Sequence, residues 1–287
     1  MVIGNDRPIE FSTLKTESIP QKEAAKEALA VLSLSDNAIG FIATDEHRKQ
    51  VLLLGQYKKQ GGGLINLTPA ELDRLLNTLP LSLDHFGELK VIFDYPKCSL
   101  CPGALFAEGE SQTILSYNAR LEAGEAVIND HWKEGPVIAI HAAPGQWVQW
   151  LQERYPHAQK MHQATALHRL SQHYQSEAIY AHLHVSRHHA DFYLGRQGKV
   201  LFYNQFPFDV AQDLLYYVLY VFEQYRLLAT EITIHLSGQS QSGDKLFELL
   251  GRYISEVKSL KLPGNLNPGA QISKKDLREN LQMLGAL

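Results

Sequence analysis

Val51-Leu52-Leu53-Leu54-Gly55-Gln56-Tyr57 and Val200-Leu201-Phe202-Tyr203-Asn204-Gln205-Phe206 decide the reading of the fold, because each is an apolar strand that follows a polar turn and another apolar strand. Working outward from the second copy, Ile179 to Val185, Ala190 to Gly195 and Lys199 to Phe206 read as a meander, with Arg196-Gln197-Gly198 as a turn. A long helix follows, carrying Ala211, Leu214, Leu215, Val218, Val221, Phe222 and Tyr225 at spacings of three and four; Asp209 with Gln212 forms its expected capping box. Glu231 to Leu236 predicts a strand, Asp244 to Ile254 a helix, and Val257 to Leu262 a last strand before Pro263-Gly264.

Around the first copy the same order recurs. Leu29 to Ser35 and Ala38 to Thr44 flank the turn Asp36-Asn37, and Asp45 to Lys49 leads into Val51 to Tyr57. Gly61-Gly62-Gly63 ends the sheet segment, since three glycines support no regular element. Thr68-Pro69-Ala70-Glu71 then combines an N-cap hydroxyl, a proline at the first helical position and a glutamate three residues after the cap. Leu72, Leu75, Leu76 and Leu79 form the stripe of that helix, Pro80 stops it, and Leu89 to Phe93 suits an interior strand. Residues 97–134 read as an insertion with an amphipathic segment near Ala104 to Leu115; a strand from Pro136 to His141, a helix from Gly145 to Tyr155, a short polar strand through Met161 and a connecting helix from Ala164 to Tyr174 follow. The chain thus predicts two α/β units, residues 1–172 with the insertion and residues 173–287 with a C-terminal helix.

Composition narrows the partners. With 45% hydrophobic and 20% charged residues, the chain of 287 has the balance of a globular protein. The net charge of −4 and scattered basic residues argue against a nucleic-acid surface. No apolar run reaches the roughly 20 residues of a membrane span. Met1 to Arg7 lacks the pattern of a secretory signal, so a cytoplasmic location is expected.

A mixed-sheet unit of order βββαβαβ, occurring twice, resembles the duplicated ribonuclease H-like fold of the actin-like ATPase superfamily, in particular its PilM/FtsA-like branch. The passage from Val137 to Leu170 resembles the segment linking the two halves in PilM-like proteins, and Pro96, Cys101-Pro102, Leu105-Phe106 and Tyr155-Pro156 are spaced as in an uncharacterised bacterial family of that superfamily. The resemblance covers most of residues 27–262. It implies an interdomain nucleotide cleft whose two phosphate turns each carry an Asp-x-Gly-Thr/Ser type sequence. Glycine there lets backbone N–H groups approach phosphate, and the aspartate holds magnesium.

The corresponding turns here are degenerate. Ser33-Leu34-Ser35-Asp36-Asn37 and Leu183-His184-Val185-Ser186-Arg187 contain no glycine, and the second contains no acid. The residues left for a vestigial ATP/magnesium site are Asp36, Arg187 and the loop Ser237, Gly238, Gln239, Ser240, Gln241, Ser242, Gly243, which the resemblance places beside the adenosine. Asp36 equally serves as a plain hairpin-turn residue, Arg187 as a solvated one, and the small loop residues as connection and cap.

Other constellations are weaker. Cys98-Ser99-Leu100-Cys101 has the spacing of half a zinc knuckle, but no second pair or His-x₃-His completes four ligands. His182, His184, His188 and His189 cluster beside Asp191, yet lack a matching set of carboxylates, and no metal or cofactor is expected. No Gly-x-Ser-x-Gly, Walker or His-Glu-x-x-His sequence is present. A ribonuclease H-type nuclease would need clustered carboxylates, which His182 to Val185 does not supply. The expected function is a non-catalytic scaffold or assembly adaptor that binds another protein, with a homodimer compatible; the alternative is an ATPase or small-molecule kinase with a divergent cleft.

Overall fold

Strand alternation explains why the first sheet is buried on both faces. In the computed structural model, which describes residues 12–47, 49–58, 63–132, 136–174, 178–240, 243–264 and 266–287, Ala30, Leu32 and Leu34 of one strand enter one apolar core while Leu29 and Val31 enter another. The first unit begins with β1 (Thr13–Thr16), a one-turn α1 (Lys22–Ala25), β2 (Leu29–Ser35), β3 (Ala38–Thr44) and β4 (Val51–Lys58). It continues with α2 (Pro69–Leu76) and β5 (Glu88–Asp94), then β6 (Cys98–Pro102), α3 (Ser111–Ser116), β7 (Glu125–His131), β8 (Val137–Pro144), α4 (Gly145–Arg154), β9 (Gln159–His162) and α5 (Gln163–Ser171). The second holds β10 (Ile179–Val185), β11 (His189–Arg196), β12 (Lys199–Pro207), α6 (Ala211–Gln224), β13 (Thr233–Gly238), α7 (Lys245–Leu250) and β14 (Glu256–Ser259), followed by α8 (Lys274–Glu279) and α9 (Leu281–Leu284).

The sheets share one topology. The first runs β1-β4-β3-β2-β5-β9 and the second β12-β11-β10-β13-β14, so β4 and β12 are the third meander strands of their sheets, as the duplication expects. In both, the first meander strand pairs in parallel with the strand after the crossover helix: β2 with β5, and β10 with β13. β1, which the sequence reading did not include, extends the first sheet antiparallel to β4.

Local chemistry sets the element ends. Thr68 and Glu71 form the expected reciprocal cap of α2, with Glu71 Oε2 accepting from Thr68 N at 2.8 Å. At α6 the capping acid is Asp213 rather than Gln212. Its Oδ2 accepts from the N–H of Asp209 at 3.0 Å and of Val210 at 3.1 Å, which moves the helix start to Ala211. The β11–β12 turn places Gln197 at φ 50 and Gly198 at φ 75, matching the right-handed twist of its strands.

The strand expected at Pro136 to His141 is β8, which lies in a separate sheet of order β6-β8-β7 with antiparallel partners on both edges. The short polar strand expected through Met161 is β9, parallel to β5 at the end of the first unit's sheet. The amphipathic segment near Ala104 to Leu115 divides into a single 3₁₀ turn at Gly103–Leu105 and α3, interrupted where Gly109 takes φ 90. Of the triple glycine, Gly61 and Gly62 lie outside the described residues.

Although it follows the second unit in sequence, the C-terminal segment packs largely on the first. Leu277, Leu281, Met283 and Leu284 join Leu29, Val31, Ile42 and Ile92 in one core. A Cβ at Gly285 would stand 2.0 Å from Ala166 O, so α5 and the tail touch backbone to backbone. Lys90, buried beneath, donates to Ala286 O at 2.7 Å. Leu281→Ala should cost about 2–5 kcal/mol in urea unfolding, against no more than about 0.5 kcal/mol for Tyr117→Ala on the exposed surface. Equal values for the two would remove the tail from the core.

Candidate functional site

Along the inner face of each sheet the side chains change from apolar to polar toward one end of the strands. In the first unit Leu29 and Val31 give way to Ser33, Ser35 and Asp94; in the second the inner face carries His182, His184, Asp191 and Ser237, while Ala181, Leu183 and Val185 pack outward. The cleft between the units therefore opens where both sheets turn polar. A cavity of about 370 Å³ lies there, bordered by Asn37, Lys58, Asp94, Arg187, His189 and Gln239. A second, of about 480 Å³, is bordered by Asp36, Tyr95, Asp94, His189 and Gln205.

The first turn is held by side chains in place of glycine. Ser35 Oγ accepts from Ala38 N at 3.0 Å and donates to Ala38 O at 2.8 Å. Asp36 Oδ1 accepts from the N–H of Gly63 at 3.0 Å and of Ile65 at 3.3 Å, while Leu64 N donates to Asp36 O at 3.0 Å. The carboxylate thus anchors a neighbouring loop.

The remaining sequence candidates separate. Arg187 and Gln239 border the smaller cavity and Asp36 the larger. Ser237 is buried, its Oγ 2.7 Å from both His182 Nε2 and His184 Nδ1, so the hydroxyl donates to one ring and accepts from the other. Gly238, at φ 83, is required by close approach: a Cβ there would lie 2.2 Å from Val185 O, which accepts from Gln239 N at 2.7 Å. Gly243, at φ 89, has open space around it, so its backbone conformation alone favours glycine. Ser242 lies outside the described residues. Ser240 and Asp244 form the cap of α7, with Asp244 Oδ1 accepting from Phe247 N at 2.8 Å.

Between the cavities sits a cluster from both units. Gln205 Nε2 donates to Asp94 Oδ1 at 2.8 Å and to Asp191 Oδ1 at 3.3 Å, and the Asp191 carboxylate also accepts from Gln163 and Tyr203. His189 Nε2 stands 3.3 Å from Asp94 Oδ1 and 4.0 Å from Asp191 Oδ2. The first is a charge contact rather than an aligned hydrogen bond. Burial disfavours a charged imidazole at His189, but the two carboxylates outweigh it and raise its pKa to about 9. Burial and then the charge of Asp94 push Asp191 up to about 6, whereas His189 holds Asp94 below the usual carboxylate range despite its burial. The sequence reading included His189 and Asp191 only within the histidine cluster and did not single out Asp94, Tyr203, Gln205 or Gln163. The available signal was the period of two in polar residues along otherwise buried strands.

A second buried network ties the insertion to α5. Asp130 Oδ2 accepts from His162 N and from Thr165 Oγ1, each at 2.6 Å, and Trp132 Nε1 donates to Thr165 Oγ1 at 2.8 Å. Trp132 stacks on His168 at 4.1 Å between ring centroids. His162 is a neutral ring: Nδ1 accepts from Ala164 N, so Nε2–H donates to Tyr95 O, and burial with neighbouring His141 lowers its pKa to about 4. Cys98 and Cys101 join different cores on opposite faces of the β6-β8-β7 sheet, and burial raises the Cys98 thiol pKa. Three positions along a strand separate them by about 10 Å, too far for a dithiol pair.

A family model described as "Protein of unknown function (DUF3822)" matches residues 17–257. The chain belongs to the DUF3822 family. In structure it is similar to a protein from Bacteroides thetaiotaomicron VPI-5482 described as having an actin-like ATPase fold and unknown function: identity is 18%, the match covers 94% of this chain and 100% of that one, and the TM-score is 0.75. It is also similar to a chain of the PilM-PilN type IV pilus biogenesis complex, at 12% identity, 90% and 96% coverage and a TM-score of 0.58. The DUF3822 chain therefore has the actin-like ATPase fold expected from its duplicated order. Among curated proteins none matches it in sequence. Among the described residues no helix is long and apolar enough to cross a membrane.

The histidines give the fold a defined acid sensitivity. Burial lowers His162 and His184 to about 4 and His182 well below its ordinary value. Their stabilisation is complete above the unfolded pKa of about 6.5 and is lost as pH falls toward 4. Asp191, raised to about 6, opposes this; His189, raised to about 9, does so only above the unfolded histidine pKa of about 6.5. Thermal melts in chelator should therefore show a falling midpoint from pH 7 to pH 4.5, and His182→Asn should make the fall shallower. A midpoint independent of pH across that range would contradict the neutral buried assignment.

Proposed function

We propose that this chain is a non-catalytic, actin-like-fold scaffold of the cytoplasm that works by binding another protein, with its interdomain cleft retained as architecture. The observation that carries this reading is the commitment of Asp36. The acid at the first turn commits one carboxylate oxygen, Oδ1, to the N–H groups of Gly63 and Ile65, and neither turn offers the glycine backbone that would cradle phosphate. Asp94, His189 and Gln205 further connect the units across the region where the turns converge. The PilM–PilN complex is an instance of a chain of this fold engaging a protein partner.

A second reading rests on the cavity of about 370 Å³, where Arg187, Lys58 and Gln239 offer donors to an anionic ligand. In that reading the chain is a nucleotide-binding ATPase or small-molecule kinase, with Asp36, Arg187 and the loop through Gly238 and Gly243 contributing. Isothermal titration with ATP, with and without magnesium, separates the two. The scaffold reading expects no saturable heat in the micromolar range and no turnover. Micromolar, magnesium-dependent affinity that disappears in Arg187→Ala would replace it with the nucleotide reading.

A further inference from the structure

Asp94 of the first unit and His189 and Asp191 of the second each offer one ligand atom, and the three atoms lie within 4.8 Å of one another. We propose that these side chains bind one divalent transition-metal ion, which bridges the two units at the floor of the cleft. Two ligands held at about 2.1 Å in tetrahedral geometry stand about 3.4 Å apart. The separations from His189 Nε2, 3.3 Å to Asp94 and 4.0 Å to Asp191, bracket that value, and the third pair, Asp94 with Asp191, lies within 4.8 Å.

Three further features fit a metal better than an ion pair alone. His189 Nε2 is enclosed, points between the carboxylates and has no aligned hydrogen-bond partner. The carboxylates are already oriented from behind: Gln205 donates to both, and Gln163 and Tyr203 donate to Asp191, the pattern by which outer residues hold metal ligands in place. Asp94 and His189 also border both cavities, leaving room for water or a ligand in the open coordination positions. Charge closes the argument, since two carboxylates and an imidazole that releases its proton on binding balance a divalent cation. One nitrogen with two oxygens selects manganese, iron(II) or zinc over magnesium or calcium, which prefer oxygen alone. The proposal stands independently of the scaffold reading, because a bridging ion suits either a fixed or a ligand-binding cleft.

The test uses the full chain with its affinity tag removed, stripped with chelator and returned to chelator-free buffer. Titration with Mn²⁺, followed by the electron paramagnetic resonance of the free ion and by competition with Zn²⁺, should show one site per chain. His189→Gln should abolish it, Gln205→Leu should weaken it about 10–100-fold, and Cys98→Ser should leave it unchanged; circular dichroism checks the fold of each variant. If a variant does not fold, pulsed resonance on the wild-type Mn²⁺ complex decides. A ¹⁴N coupling from a bound imidazole supports the site, and its absence overturns it. The proposal also fails if no saturable site appears, or if binding of one ion per chain survives His189→Gln. Asp94, His189 and Asp191 would then be a structural ion-pair cluster only.

Discussion

The arrangement of the two units depends on keeping the carboxylate of Asp191 out of water. A buried carboxyl without partners is destabilising by several kcal/mol, so donors must converge on it from every side. They do so from three separate elements: Gln163 at the start of α5, and Tyr203 and Gln205 on β12, with His189 on its own strand supplying positive charge. Because Gln205 also bonds Asp94 on β5, satisfying Asp191 fixes the first unit's sheet against the second. Displacing either unit would strand a buried acceptor, which makes the interface a polar seam with a narrow choice of geometries.

Duplication accounts for the two-sided construction around that seam. Each sheet places an apolar face under its crossover helices, α2 and α4 in the first unit and α6 and α7 in the second. The opposite faces meet α5, the C-terminal tail and each other. Near α5 and the tail these inner faces are apolar, with Val31, Ile42, Tyr180 and Tyr193 in one core, and toward the turns they become polar. The transition places the cavities beside the strand ends that face the turns, the position expected for a ligand site in an α/β sheet.

The parts of the fold legible in the sequence are those set by local pattern. Largely apolar runs mark β2, β3 and β4, apolar residues alternating with polar ones, histidine among them, mark β10 and β13, and Thr68 with Glu71 marks the start of α2. The role of β8 was not legible, because its residues suit an interior strand of either sheet and only pairing to β6 and β7 decides between them. The cleft was legible only in outline. Its central bonds join residues far apart in the chain, Asp94 to Gln205 and Gln163 to Asp191, and the apolar run that predicts β5 ends at Phe93, one residue short of Asp94. Asp36 shows the same limit. Its position in the turn is local, but its bonds to Gly63 and Ile65 depend on the return of a loop 27 residues away.

A fixed seam and a hinged cleft differ most directly in the distance between the units. Pulsed electron resonance on spin labels at Tyr117→Cys, on the exposed surface of the insertion, and Tyr253→Cys, exposed on the second unit, measures it in the folded chain. The polar seam predicts one narrow distance population, the same with and without magnesium-ATP, that broadens when Gln205→Leu and His189→Gln remove the bonds across it. A second, shorter population appearing in the unsubstituted seam on addition of magnesium-ATP would contradict it.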